Sequence, residues 1–164
     1  MERPARPETI RRAEFRDVAA LGELGAALMR THYAFDPDRF LEPAGGDEHG
    51  YAEFLQSQLA NTNAVVLVAE KDGAVVGYAY AAIEPLSWKE LRGECGFIHD
   101  LLVTEEARGS GVGDALLNAS IDWLRQRGMP RVMLWTAPHN HAAQRLFGRR
   151  GFRATMVEMT LELD

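Results

Sequence analysis

Between Phe97 and Leu124 the sequence runs FIHDLLV, TEEA, RGSGVG and DALLNASIDWL. Its periodicity predicts an apolar strand, a short acidic turn, a glycine-rich loop and an amphipathic helix that the loop opens. The first N–H groups of a helix have no intrahelical partner, and the helix dipole adds partial positive charge, so such a junction suits a phosphate or pyrophosphate. Spacing narrows the ligand. A P-loop needs Gly-Lys before Ser or Thr, and Gly-Lys occurs nowhere in the chain. The dinucleotide pattern G-x-G-x-x-G fails as well, because its last glycine would fall on Asp114 or Leu116. What remains is Arg108-x-x-Gly111-x-Gly113 behind a strand that ends at Val103.

That pattern resembles the acetyl-CoA signature of the GNAT (Gcn5-related N-acetyltransferase) superfamily. A second stretch, Asn140-x-x-Ala143-x-x-Leu146-Phe147-x-x-x-Gly151-Phe152, is similar to the family's other CoA-side segment. The resemblance implies acetyl-CoA as acyl donor. Arg108, Gly109, Ser110, Gly111, Val112 and Gly113 would hold its pyrophosphate, with Asn140 and Phe147 as further contacts. It also implies that backbone groups of Leu101 and Val103 meet the thioester, with the Leu101 N–H as donor to its carbonyl oxygen. His99 aligns where polyamine-acetylating relatives carry a glutamate. The family's usual tyrosine, which protonates the leaving thiolate, is replaced by Phe147, and a phenyl ring has no proton to give. The general acid would then be water, another tyrosine such as Tyr33 or Tyr80, or absent, its loss slowing transfer rather than abolishing it.

Residue chemistry bears on the same site. An alkylamine with a pKa of about 10 is mostly ammonium at neutral pH and cannot attack, whereas an imidazole near about 6.5 accepts a proton readily. His99 is thus the first candidate base and Glu94 the second, with His99 expected on the same strand face as Leu101. The plainer reading of His99 is a half-buried ring bonded to a neighbour such as Asp100. Asp114 favours the helix dipole but is expected to turn its charge away from the loop. Glu84, Trp88 and Tyr33 are candidate acceptor contacts, since an aromatic ring beside carboxylates suits an amine. His139-x-His141 has no third ligand nearby, so no metal is expected. Cys95 sits in an apolar strand where thiols are usually inert.

The net charge of −6 argues against nucleic acid as the main partner. Arg145, Arg149 and Arg150 do cluster, either toward a CoA 3′-phosphate or as a solvated helix end. Cys95 is the only cysteine and no apolar run approaches about 20 residues, so neither a disulfide nor a membrane span is expected, and the cytoplasm is the natural setting. The N-terminal MERPARPET lacks an apolar h-region, and residues 1–8 are expected to fray.

In order, the chain predicts strand 9–13, helix 17–33, a long loop with Phe35 and Phe40, helix 49–60, strands 64–70 and 74–82 around Asp72-Gly73, strand 95–103, helix to 127, strand 131–136, helix 140–150 and strand 155–163. The helix 49–60 would bury Tyr51, Phe54, Leu55 and Leu59. This is a mixed α/β (α+β) order in one domain over residues 1–164. The resemblance makes it a GNAT-like, mostly antiparallel sheet of six to seven strands, splayed between strands 4 and 5 and flanked by four helices. The function so implied is N-acetyl transfer to a primary amine of a small molecule or peptide by direct attack in a ternary complex, with a homodimer possible. The alternative is a CoA- or acyl-CoA-binding module with little or no catalysis.

Overall fold

A computed structural model of the chain describes residues 8–163. The fraying expected at residues 1–8 therefore lies almost wholly outside the described residues. The sheet grows from one hairpin. Asp72 and Gly73 both adopt positive φ, 51° and 83°, the turn whose twist matches that of the strands it joins. It connects β2 (Ala64–Lys71) to β3 (Ala74–Glu84). β1 (Thr9–Arg12) pairs antiparallel with β2, β4 (Cys95–Val103) antiparallel with β3, and β5 (Val132–Leu134) parallel with β4. The spatial order is β1-β2-β3-β4-β5.

From Ala64 to Ala69, β2 is an unbroken apolar run, as a strand covered on both faces must be. Val65, Leu67 and Ala69 face α3 (Val112–Gln126), beside Leu116, Leu117 and Leu124. Val66 and Val68 face α1 (Val18–Phe35) and α2 (Asp47–Leu59), beside Leu21, Leu24, Leu28 and Leu55. α4 (His141–Arg149) adds Phe147 to the α3 side. Cys95 opens β4 fully buried, and burial pushes its thiol pKa up.

Two glycines set how closely α1 and α2 approach. A methyl group on Gly22 would fall 2.3 Å from the Glu48 carbonyl oxygen, and one on Gly25 would fall 2.1 Å from the Tyr51 ring. At the opposite edge, Arg11 ties β1 to its surroundings. Its guanidinium donates to Asp17 (2.7 and 2.9 Å) and to Glu70 (2.7 and 2.9 Å). Asp17 also accepts from the Glu14 N–H at 2.8 Å. The hydrogen-bonded Arg11 holds the Asp17 carboxyl below its usual pKa, against the opposing effect of burial.

Several expectations change. The sheet has five strands rather than six to seven. The strand expected at 131–136 is three residues long, and 155–163 forms no strand. Alternating polarity says only that one face of a segment wants cover; a strand also needs a neighbour to bond, and none among the described residues runs beside this one. α1 extends to Phe35, so Tyr33 and Phe35 are helical, and His32, Phe35 and Phe40 form a ring cluster at its end. Phe54 is 45% exposed rather than buried. No helix among the described residues is long and apolar enough to cross a membrane.

Gly22→Ala gains helix propensity but drives a methyl into a backbone carbonyl that cannot rotate away. The expected result is a net loss of about 1–3 kcal/mol, read from urea midpoints. Asp17→Asn should destabilise by about 1.5–3 kcal/mol at pH 7. Because the folded carboxyl pKa is depressed, the wild-type advantage is complete above the unfolded value of about 3.9 and disappears as pH falls through the lower folded value. Midpoints of the two proteins should therefore converge in acid.

Candidate functional site

The site is organised by one extra residue in β4. Pairing between β3 and β4 steps from Ala81↔Ile98 to Tyr80↔Asp100, so His99 and Asp100 together oppose Tyr80 in a β-bulge. Backbone hydrogen bonds show the consequence. The Gly96 N–H donates to Arg131 O, on the β5 side, at 2.9 Å, whereas the Thr104 N–H donates to Val76 O, on the β3 side, at 2.9 Å. In a regular strand two even-numbered residues point the same way. The bulge reverses the phase, and beyond it Leu101 and Val103 turn their N–H and C=O groups away from β3.

They turn toward a gap. β5 pairs with β4 only from Gly96 to Ile98, and β4 continues for five residues with no strand on that side. Leu101 and Val103 thus present backbone groups to a side without a strand, where, among the described residues, the Val103 carbonyl accepts only from the Arg108 side chain. Nearby lies a cleft of about 240 Å³, lined by Leu24, Ala27 and Thr31 of α1, by the chain from Leu102 to Glu106 and by Arg108.

The same bulge sorts the side chains. Ile98, Leu101 and Val103 pack on the α3 side, while Leu102 packs on the α1 and α2 side. His99 stacks on Tyr80 (5.1 Å between centroids) and on Phe97 (4.6 Å), so it does not share a face with Leu101 as a regular strand would have required. Phe54 meets Tyr80 at 5.5 Å, and Trp135 meets Phe97 at 5.4 Å. Five rings from two strands, a helix and a loop therefore form one row with the imidazole at its centre.

His99 Nε2 lies 2.8 Å from Glu84 Oε1, and the two side chains are 33% and 30% exposed. Glu84, expected as an acceptor contact, is thus the partner of the candidate base. Asp100 is not that partner. It accepts a hydrogen bond from the Tyr78 hydroxyl at 2.9 Å, and burial raises its carboxyl pKa above the usual value. Burial likewise raises the pKa of Tyr80, with Glu84 adding to the effect, so its phenol stays protonated; the hydroxyl donates to Gln58 at 3.3 Å.

Other candidates lie elsewhere. Glu94 precedes β4, five residues and roughly 15 Å of extended chain from His99. Trp88 projects into solvent, 83% exposed, from a loop closed by Ser87 and Arg92. Tyr33 sits half-buried on the last turn of α1. The sequence reading passed over Phe97, Trp135 and Phe54. The i, i+2 spacing of Phe97 and His99 signalled the first of them, while the others depend on tertiary placement.

The glycine loop opens α3 as its spacing predicts. Gly109 and Gly111 have φ of 74° and 94°, and no atom lies within 4 Å of the position a methyl would take on either. Their role is therefore conformational, with open space above them. The Ser110 hydroxyl donates to Ala107 O at 2.6 Å, and Arg108 Nε donates to Val103 O at 3.3 Å. Val112 is buried in the core and offers the loop only its backbone. Asp114 reaches Arg149 at the end of α4 and Arg150 just beyond it, each at 3.3 Å, which engages its charge with two of the three clustered arginines. Asn140 caps α4 by accepting from the Ala143 N–H at 3.2 Å, and Phe147 packs beside Phe152 in the core. Both residues have structural duties that explain them without a ligand. Together, the donors at the start of α3, the cleft and the open backbone of β4 suit an elongated acyl donor with an anionic head.

Comparison with known proteins agrees. The Acetyltransferase (GNAT) family matches residues 27–152. An uncharacterised N-acetyltransferase of Bacillus subtilis, YhfO, is 30% identical over 87% of this chain and 88% of its own length. The aminoglycoside N(6′)-acetyltransferase type 1 of Klebsiella aerogenes is 33% identical over 62% of this chain and 66% of its own length. Among solved structures, a mutant of the Bacillus halodurans protein BH1408 superposes with a TM-score of 0.80 at 22% identity, covering 94% of this chain and 99% of that one. A predicted acetyltransferase of Clostridium acetobutylicum, crystallised with acetyl-CoA, gives 0.72 at 17% identity, covering 95% and 96%. At such identities the structural likeness shows the fold alone, but the family match extends over most of the sequence. On that match, the chain belongs to the acetyltransferase (GNAT) family.

Proposed function

We propose that the chain is an N-acetyltransferase that moves an acetyl group from acetyl-CoA to a primary amine of a small molecule or peptide, by direct attack in a ternary complex. The observation that carries this reading is the β4 bulge. It turns the backbone of Leu101 and Val103 into the gap beside β5 and sets His99 on the face where Glu84 holds it. Acetyl-CoA supplies a thioester carbonyl. The N–H groups at the start of α3 and the Arg108 charge bind its pyrophosphate, and the Leu101 N–H donates to the carbonyl oxygen.

The amine needs a lone pair. With Nε2–H donating to Glu84, neutral His99 keeps Nδ1 free to take the ammonium proton, directly or through one water, and Glu84 steadies the imidazolium that results. The nitrogen–carbon bond forms, the nitrogen gives its second proton to solvent, the carbon–sulfur bond breaks, and the departing thiolate takes a proton from solvent. Phe147 is buried in the core and has none to give. The Klebsiella relative is named for an aminoglycoside, which supports a small polar acceptor.

Phe147 also favours a second reading, a CoA-binding module with little catalysis. Thiol release from acetyl-CoA across a panel of amines and peptides separates the two, with thermal midpoints recorded with and without CoA. We expect release with at least one amine, and we expect His99→Gln to lower turnover about 10²-fold or more while leaving CoA stabilisation unchanged. Glu84→Gln should produce a smaller loss. Wild-type turnover in His99→Gln would remove the histidine from its role. Stabilisation by CoA with no release across the panel would favour the binding module.

A further inference from the structure

Strand register brings one further ring level with the candidate base. β5 pairs with β4 through Ile98 and Leu134, and both side chains pack on the α3 side. Successive side chains of a strand point to opposite faces. One step further on, His99 and Trp135 therefore fall level with each other on the other face, where β5 ends and the gap opens. The ring contacts agree. The Trp135 indole meets Phe97 edge-to-face at 5.4 Å between centroids, and Phe97 stacks on the imidazole at 4.6 Å. Phe97 is buried, so core packing accounts for it. Trp135 is 72% exposed and is the most open ring of the row.

We propose that Trp135 determines acceptor specificity, as a stacking platform for an amine that carries a planar ring two or three carbons from its nitrogen. This rests on the acetyl-transfer reading, which sets the amine nitrogen beside His99. The imidazole is already stacked on Tyr80 and Phe97 and meets the amine through a ring nitrogen, so the acceptor's own ring must find another surface. Two ring steps, of 4.6 and 5.4 Å, separate imidazole from indole. A short carbon linker reaches roughly 4–6 Å, and stacked rings lie roughly 4.5–7 Å apart, so linker and stack together cover that separation. A second ammonium would need a free carboxylate instead. Glu84 is engaged by His99, and Asp100 accepts from the Tyr78 hydroxyl while burial raises its carboxyl pKa. A ring needs only an open aromatic face, and Trp135 supplies one beside the thioester gap.

Steady-state transfer to three matched amines tests this: phenethylamine with a planar ring, cyclohexylethylamine with a puckered one, and putrescine with a second cation. Wild type should favour phenethylamine over cyclohexylethylamine by about fivefold or more in kcat/KM. Trp135→Leu should fold, because the indole is exposed, and should raise the KM for phenethylamine about tenfold with the KM for acetyl-CoA unchanged. Trp135→Phe should restore most of the preference. Equal use of the two ring amines, a preference for putrescine, or a loss in Trp135→Leu shared equally by all three amines overturns the proposal. A protein that acetylates no amine fails the transfer reading on its own account, and binding then decides the platform. Broadening of the phenethylamine ring-proton resonances by wild type, lost in Trp135→Leu, upholds it. No broadening, or broadening that survives in Trp135→Leu, overturns it.

Discussion

A β-strand offers its backbone alternately to its two neighbours, and β4 breaks that alternation once, at His99 and Asp100. Everything that makes the site distinct from a plain sheet edge depends on this slip. Before it, β4 is an interior strand, bonded to β3 on one side and β5 on the other. After it, the backbone groups of the odd-numbered residues meet no strand. Arg108 Nε satisfies the Val103 carbonyl, and the cost of leaving the others without a strand partner is tolerable where water or a ligand can bond them. The same slip places two consecutive polar side chains, His99 and Asp100, on the α1 and α2 face, although neighbours normally diverge.

The frame that holds this strand is stiff where it must be. β2 is buried on both faces, the Asp72-Gly73 turn fixes its register with β3, and α3 seals one side with Leu116, Leu117 and Leu124. On the other side α1 and α2 approach so closely that glycine is required at 22 and 25. α1 lines the cleft through Leu24, Ala27 and Thr31, and Phe54 of α2 touches the ring row. Helix spacing and site geometry are therefore one constraint. A shift of α2 against α1 would move Phe54 and the ring row relative to the β4 backbone.

How much of this was legible in the sequence follows from the range of the interactions. The hairpin turn, the glycine loop before α3 and the Asn140 cap are set by a few adjacent residues, and their types and spacing announce them. The bulge could not be read, because it depends on pairing register with a strand some 20 residues away. Without it His99 appeared to share a face with Leu101. Glu84 and His99 lie 15 residues apart, and only antiparallel pairing brings them together. The segment 155–163 shows the converse limit. Its alternating character states that it wants a sheet, but a pattern carries no information about which edge receives it.

The lone cysteine has a practical side. Cys95 opens β4 with no exposed surface and with a thiol disfavoured from ionising. Thiol-reactive dyes attack the thiolate, so the native protein is chemically silent to them. Released CoA can be followed by its sulfur without interference from the enzyme. Conversely, labelling of Cys95 reports only those moments when the start of β4 opens to solvent, and its rate measures how often the strand at the centre of the site comes loose.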